Sequence, residues 1–217
     1  MGSPLYLLRE PESFVAFLVA VIVGLTFHEF SHAAVATLQG DQTARSQGRL
    51  TLNPVVHLDP LGSIALLIAG FGWARPTPVT PARLRYRRLG MVLVALAGPA
   101  ANLVLALVSA IALGILDPTV EATLNSNFSV KLLSGLVFWN VLLGIFNLLP
   151  IPPLDGSTLL TVLLPPSRQN IVRFLDQYGI FLLLGLLILA PNLLSPIVLA
   201  VLEAISGLAG GRVILPV

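Results

Sequence analysis

The sequence contains no cysteine and few charged residues. Of its 217 residues, 10% are Asp, Glu, Lys or Arg, whereas charged residues make up about a quarter of an ordinary soluble domain. The absence of cysteine excludes disulfide bonds and thiolate metal ligands. Histidine is scarce as well, with three residues in the chain. A metal site here would have to be built from imidazole and carboxylate groups.

Apolar residues make up 56% of the chain and fall in long uninterrupted blocks. This pattern is typical of transmembrane helices. We predict five such helices, at residues 13–38, 89–116, 132–149, 175–190 and 193–208. The sequence therefore predicts an all-α polytopic membrane protein, with one domain over residues 1–217 and a closing helical hairpin at 175–208.

Two further stretches complete the predicted architecture. Residues 61–73 are apolar but too few to cross a hydrocarbon core of about 30 Å, so we predict a short re-entrant or interfacial helix there. Residues 40–60 are polar and rich in turn-forming residues. Short alternating pieces at 43–45 and 49–52 predict a small β-hairpin, with an irregular loop as the alternative.

The distribution of basic residues predicts the orientation in the membrane. The loop before residue 89 carries five arginines: Arg75, Arg83, Arg85, Arg87 and Arg88. The next loop carries Asp117 and Glu121. Because basic loops stay cytoplasmic, we expect the N-terminus outside, with residues 39–88 and the C-terminus in the cytoplasm. Topology accounts for the arginine cluster, so we expect no nucleic-acid partner.

The first predicted span contains His28, Glu29 and His32. Positions i and i+4 share a helix face, so both imidazoles can reach one metal ion, with Glu29 beside them as a general base. The alternative is a helix that carries these polar residues by coincidence. Such side chains are costly inside a bilayer unless they have partners, which favours a functional site.

A catalytic zinc ion with an open coordination position needs a third protein ligand. Asp155 is the candidate, because it follows the span at 132–149 in a proline-rich run that we expect at the depth of His32. The alternative is that Asp155 only caps the next helix. His57 is interpreted as a loop histidine with a local hydrogen bond.

Two motifs together resemble the site-2 protease family of intramembrane zinc metalloproteases. Residues 28–32 are similar to the family's His-Glu-x-x-His motif. Residues 147–156 resemble its Asn-x-x-Pro-x-Pro-x-x-Asp-Gly motif. Weaker similarities lie at residues 52–62, 72–79 and 98–102.

The resemblance implies a compact member without a PDZ or CBS domain, with a catalytic core at residues 13–156. It implies one zinc ion per chain, with His28, His32 and Asp155 as ligands and Glu29 as the general base. Asn147 is then expected to hold the substrate or its developing oxyanion. Asn140, seven residues earlier, either lines the same cavity or holds helices together.

The implied activity is regulated intramembrane proteolysis of transmembrane proteins, in the lipid bilayer of a prokaryotic cell membrane. Because a substrate helix satisfies its own amides, cleavage needs local unwinding, and we expect residues 42–52 to pair with the unwound strand. Two alternatives remain at this point. One is a membrane protein that binds or transports metal without hydrolysis, and the other is an inactive scaffold of the same fold.

Overall fold

The computed structural model describes residues 9–69, 72–116, 127–190 and 192–209. Over these ranges the chain forms helices joined by short loops and single 3-10 turns. The helices are α1 (Pro11–Leu38), α2 (Thr43–Ser46), α3 (Pro54–His57), α4 (Pro60–Ala69), α5 (Arg87–Leu116), α6 (Phe128–Asn147), α7 (Gly156–Leu163), α8 (Gln169–Leu189) and α9 (Ser195–Leu208). The prediction of an all-α polytopic membrane fold is confirmed.

Within those ranges, four helices are long and apolar enough to cross a membrane: α1, α5, α6 and α8. The fifth predicted span becomes α9, which has 14 residues. At 1.5 Å per residue this helix is about 21 Å long, which is shorter than the hydrocarbon core. Four of the five predicted spans are therefore present as helices of membrane-spanning length, and the fifth stays a prediction. The predicted short helix at 61–73 corresponds to α4, which has 10 residues.

The predicted β-hairpin is wrong. Residues 43–45 lie in α2, and residues 49–52 form no strand. The carboxylate of Asp41 accepts hydrogen bonds from the backbone N–H and the hydroxyl of Thr43, and this turn starts a helical turn in place of a strand. The pairing that does occur in this region of the described chain is an isolated antiparallel bridge between Leu58 and Ala74.

The centre of the molecule is a bundle in which α1, α5 and α6 pack on one another and α9 packs on α5 and α6. On α1 the contact residues are small: Ala16, Ala20, Ala33 and Ala36 are almost fully buried. Small side chains let backbones approach closely, which matters where lipid removes the hydrophobic driving force between helices. By contrast, α8 is largely exposed along its length, as expected of a helix that faces lipid.

The chain between α4 and α5 folds back over the end of α1. The backbone N–H of Thr80 donates to Asp41 Oδ2 at 2.6 Å, and that of Arg85 donates to the carbonyl of Gln39 at 2.9 Å. Burial alone would raise the pKa of Asp41, but the hydrogen bonds from Thr43 and Thr80 outweigh it and lower the pKa. An ionised Asp41 therefore ties residue 80 to the turn that follows α1.

Candidate metal centre

One turn of α1 presents the two imidazoles of the candidate site. His28 and His32 are buried, with 5% and 6% of their surfaces exposed. Their Nε2 atoms lie 3.0 Å apart. Glu29, which is 7% exposed, lies between them in the sequence. The helix thus holds two nitrogen donors at one point inside the bundle.

Asp155, directly before α7, completes the group from the other side. Its Oδ2 atom lies 3.0 Å from Nε2 of His28 and 3.2 Å from Nε2 of His32. The Asp155 side chain makes no capping hydrogen bond to α7, so the alternative that it only caps this helix is not supported. Gly156 makes this approach possible, because a Cβ there would lie 2.2 Å from the carbonyl oxygen of Leu148.

The hydrogen bonds behind the imidazoles show which ring nitrogen carries the proton. Nδ1 of His32 lies 2.7 Å from the carbonyl oxygen of Val94, which can only accept, so this Nδ1 is protonated. Nδ1 of His28 lies 2.7 Å from Oδ1 of Asn102. The amide nitrogen of Asn102 donates to the carbonyl of Gly24 and to Oδ1 of Asn140, which assigns the oxygen to the His28 side. In the neutral imidazoles both Nε2 lone pairs then face the centre.

These three ligand atoms fit a metal ion. Two nitrogen lone pairs and a carboxylate oxygen face one another, and Oδ2 of Asp155 is buried without a hydrogen-bond partner. Such a set is repulsive by itself and is satisfied by a cation. Ligands at 2.0–2.1 Å from a tetrahedral zinc ion lie roughly 3.3 Å apart, which is close to the spacing found here. The absence of cysteine leaves an N₂O donor set, which zinc accepts.

Helix α5 packs a glycine directly against the two imidazoles. A Cβ on Gly98 would lie 2.5 Å from Cε1 of His28 and 2.5 Å from Nε2 of His32. No real Cβ contact is that short, so the site requires glycine at this position. Pro99 follows inside the same helix.

Glu29 is held apart from the three ligands. Its Oε2 atom accepts the backbone N–H of Thr77 at 3.0 Å and the hydroxyl of Thr77 at 2.7 Å. The group able to hold a metal consists of the other three residues. Glu29 is therefore buried beside the centre as a carboxylate with a separate hydrogen-bond partner.

The structure does not bring the remaining predicted residues into the group of three candidate ligands. The amide nitrogen of Asn147, at the end of α6, donates to the carbonyl of Leu143 in its own helix at 3.0 Å. Asn140 is fully buried and bonded to Asn102 and to its own helix. His57 is also buried, and its Nε2 lies 2.8 Å from the carbonyl oxygen of Thr51, which is the local hydrogen bond expected of it.

Known proteins are similar to this chain in sequence over most of its length. The family described as "Peptidase family M50" matches residues 112–186, which include Asp155. "Putative zinc metalloprotease YwhC" of Bacillus subtilis is 43% identical over 185 residues, which cover 83% of this chain and 84% of that protein. The chain belongs to peptidase family M50, the site-2 protease family.

More distant relatives agree with this membership. "Putative zinc metalloprotease Rip2" of Mycolicibacterium smegmatis is 36% identical over 194 residues, covering 85% of this chain and 72% of that protein. "Putative zinc metalloprotease MJ0611" of Methanocaldococcus jannaschii is 32% identical over 157 residues, covering 68% and 70%. No solved structure matches the chain. As a member of the site-2 protease family, the protein is a membrane metalloprotease, and zinc is the metal that the family implies.

Sequence reasoning assigned no role in the site to three residues that support this centre, although they lie in the weaker family similarities at 72–79 and 98–102. They are Gly98 and Asn102 on α5, and Thr77 in the loop. A signal for the first two was present, because they are four residues apart and an asparagine inside an apolar span is costly without a partner. Thr77 lies in the similarity at 72–79, but its role could not be assigned from the sequence because that role depends on how the loop folds over α1.

Proposed function

We propose that this protein is an intramembrane zinc endopeptidase that hydrolyses peptide bonds in or near transmembrane segments of membrane proteins. Its cellular role would be regulated intramembrane proteolysis. The supporting observation is the convergence of His28, His32 and the unpartnered Asp155 Oδ2 inside a bundle of membrane-length helices, with a buried glutamate beside them. One zinc ion per chain would be held by these three residues.

Zinc at this position would supply Lewis-acid chemistry, polarising the scissile carbonyl and lowering the pKa of water to about 7. Glu29 accepts the proton of the attacking water and passes it to the leaving amine. Asn102 and the carbonyl of Val94 keep the two imidazoles oriented.

Asn147 is proposed to donate to the developing oxyanion. Its amide has a second N–H besides the one bonded to Leu143, and a preorganised donor of this kind is typically worth about 3 kcal/mol. For Asn140 we propose a positioning role instead, since it is fully buried and already bonded to Asn102. It supports the amide that orients His28.

A substrate strand needs an extended surface near Glu29 once it unwinds. Residues 42–52 were expected to provide it, but they contain α2 and form no strand. Residues 75–80 are not helical and contact Glu29 through Thr77. The backbone N–H groups of Arg75, Thr77 and Thr80 are already bonded to His57, Glu29 and Asp41, and residues 76 and 78 are prolines, so this segment does not offer the row of free N–H groups that strand pairing needs.

For the orientation, we propose that the N-terminus is outside and that the metal centre opens toward the cytoplasm. The support is the arginine-rich loop before α5. The proposed cytoplasmic C-terminus additionally requires that α9, with its 14 residues, completes a crossing.

The buried Glu29 favours an enzyme over the two alternatives. A metal transporter or an inactive scaffold would not need a carboxylate that is outside the ligand group but bonded beside it. The deciding change is Glu29→Gln, which keeps the size of the side chain and removes the base.

The experiment compares the membrane proteomes of cells carrying the wild type, Glu29→Gln, or the control Glu203→Gln, an exposed carboxylate on α9. We expect single-span proteins to accumulate with Glu29→Gln alone, while the purified variant keeps its zinc. Identical proteomes in all three strains, or continued cleavage of an isolated substrate by Glu29→Gln, would refute the protease function. If Glu29→Gln instead lost zinc uptake while cleavage was unchanged, the result would support transport.

A further inference from the structure

The loop that returns from α4 crosses α1 at the catalytic glutamate. Thr77 in this loop donates to Oε2 of Glu29 from both its backbone N–H and its hydroxyl, and the hydroxyl also lies 3.1 Å from the backbone carbonyl oxygen of Glu29. Across the described ranges, no hydrogen bond is made to the other oxygen, Oε1. The two oxygens of this carboxylate are therefore in different environments.

We propose that Thr77 is a positioning residue that fixes Glu29 by Oε2 and leaves Oε1 as the atom that takes the proton. This inference rests on the proposed function, because it specifies how the general base is held. A carboxylate can rotate about its last torsion, and two donors on one oxygen remove that freedom. Pre-orienting a base in this way raises the turnover rate rather than the affinity for substrate.

The sequence around Thr77 restricts what the backbone can do there. Residues 76 and 78 are prolines, so Thr77 has the single backbone N–H in the stretch 76–78. The two rings also fix φ at about −65° on either side. The backbone of this stretch is therefore stiff, and its one N–H, that of Thr77, donates to Glu29 on α1.

Arg49 holds this part of the loop from behind. This residue is 4% exposed, and its guanidinium donates to the carbonyls of Val56, Arg75 and Pro76, the last at 3.0 Å. The peptide between Pro76 and Thr77 is therefore held by Arg49 on its carbonyl side and by Glu29 on its N–H side. Arg49 is also near enough to Glu29 for their opposite charges to attract.

The bridge at the base of the α4 excursion adds a third restraint. The backbone N–H of Arg75 donates to the carbonyl of His57 at 2.8 Å, next to the pairing of Leu58 with Ala74. The segments before and after α4 are thus hydrogen-bonded to each other at Arg75, two residues before Thr77. The hydrogen bonds of Arg49 and of this bridge reach Glu29 by way of the Thr77 segment.

The test compares Thr77→Val, which keeps the shape and the N–H but loses the hydroxyl, with Thr77→Ser, which restores it. The matched control is Thr80→Val, because the hydroxyl of Thr80 bonds to Thr43 and not to Glu29. Zinc content is measured first. Then kcat and KM are measured on a substrate obtained from the Glu29→Gln comparison.

We expect Thr77→Val to lower kcat by about tenfold with KM and zinc content unchanged, since a hydrogen bond to a charged group is lost. Thr77→Ser should regain the wild-type kcat, and Thr80→Val should match the wild type. A wild-type kcat in Thr77→Val, or a loss that serine does not restore, would overturn the assignment.

An infrared measurement tests the same contact without any cleavage. The carboxylate band of Glu29 is isolated as the difference between each protein and its Glu29→Gln counterpart. We expect this band to shift in Thr77→Val. It should also shift in Arg49→Lys, because the lysine ammonium lacks the planar guanidinium that donates to several carbonyls. In Thr80→Val the band should keep its wild-type position. An unshifted band in Thr77→Val overturns the contact. If the band shifts but no variant and no wild-type protein cleaves substrate, the proposed protease function has failed while the contact stands.

Discussion

The three ligand atoms of the candidate centre are each supported by a different kind of residue. Asn102 and a backbone carbonyl set the proton positions of the histidines, whereas Gly156 lets the chain bring Asp155 close. Gly98 supports the site by what it lacks, because its missing side chain leaves the space where the imidazoles lie. Such a contact makes a direct prediction about metal binding.

Gly98→Ala should abolish zinc binding and with it the activity. The new methyl group would lie 2.5 Å from both imidazoles, which must then turn away from Asp155. Metal analysis of the purified variant measures this. Gly185→Ala on α8 is the matched control, since a Cβ there meets no atom within 4 Å. Full zinc occupancy in Gly98→Ala would show that the imidazoles do not lie where the structure places them.

At the residue scale, sequence spacing predicted the ligand set because each motif is local. Two histidines four apart share a helix face wherever that helix lies. The meeting of Asp155 with them is not local, and it was inferred from expected depth in the membrane and from the family resemblance. Gly98 and Thr77 are recognised only from contacts between distant segments, so spacing alone could not assign their roles.

Single helices fix the geometry of the site. α1 carries two candidate ligands and the proposed base on one scaffold, and the residue directly before α7 is the third candidate ligand. Helix α4 differs from these, because Leu61, Ile64 and Ile68 on one face are more than half exposed. An uncharged, exposed apolar helix of this kind is consistent with the predicted re-entrant or interfacial position.

Element prediction succeeded for long apolar runs and failed for short polar ones. The long helices follow from hydrophobic length, which no tertiary contact can reverse in a membrane. The conformation at the start of residues 43–52 depends instead on Asp41, whose carboxylate accepts hydrogen bonds from Thr43 and from the distant Thr80. A pattern of alternating residues cannot predict this long-range contact between Asp41 and Thr80.

Helix α5 gives the sharpest test of membrane orientation. Reporter fusions after Arg85, before the helix, and after Leu116, at its end, should lie on opposite sides, with the first in the cytoplasm. Enzymatic activity of compartment-specific reporters measures this. Both fusions on one side would mean that α5 does not cross. Opposite sides with Arg85 outside would reverse the orientation that we propose.

At the scale of the whole molecule, the bundle of α1, α5 and α6 surrounds a polar centre that lipid could not solvate. The chain of contacts from His28 through Asn102 to Asn140 joins all three helices and uses buried amides whose oxygen and nitrogen atoms each have a hydrogen-bond partner. The same helices that carry small apolar contacts therefore also carry the groups that orient the ligands. Fold and site are specified together, which is why the compact chain needs few polar residues.

The central claim is that two imidazoles and one carboxylate share a single zinc ion within the membrane. X-ray absorption at the zinc edge, on the purified protein in lipid nanodiscs, tests it most directly. We predict one zinc ion per chain with two imidazole nitrogens and a carboxylate oxygen at about 2.0–2.1 Å, and no sulfur ligand. A protein that takes up no stoichiometric zinc, or a zinc ion without two imidazole ligands, would contradict the account.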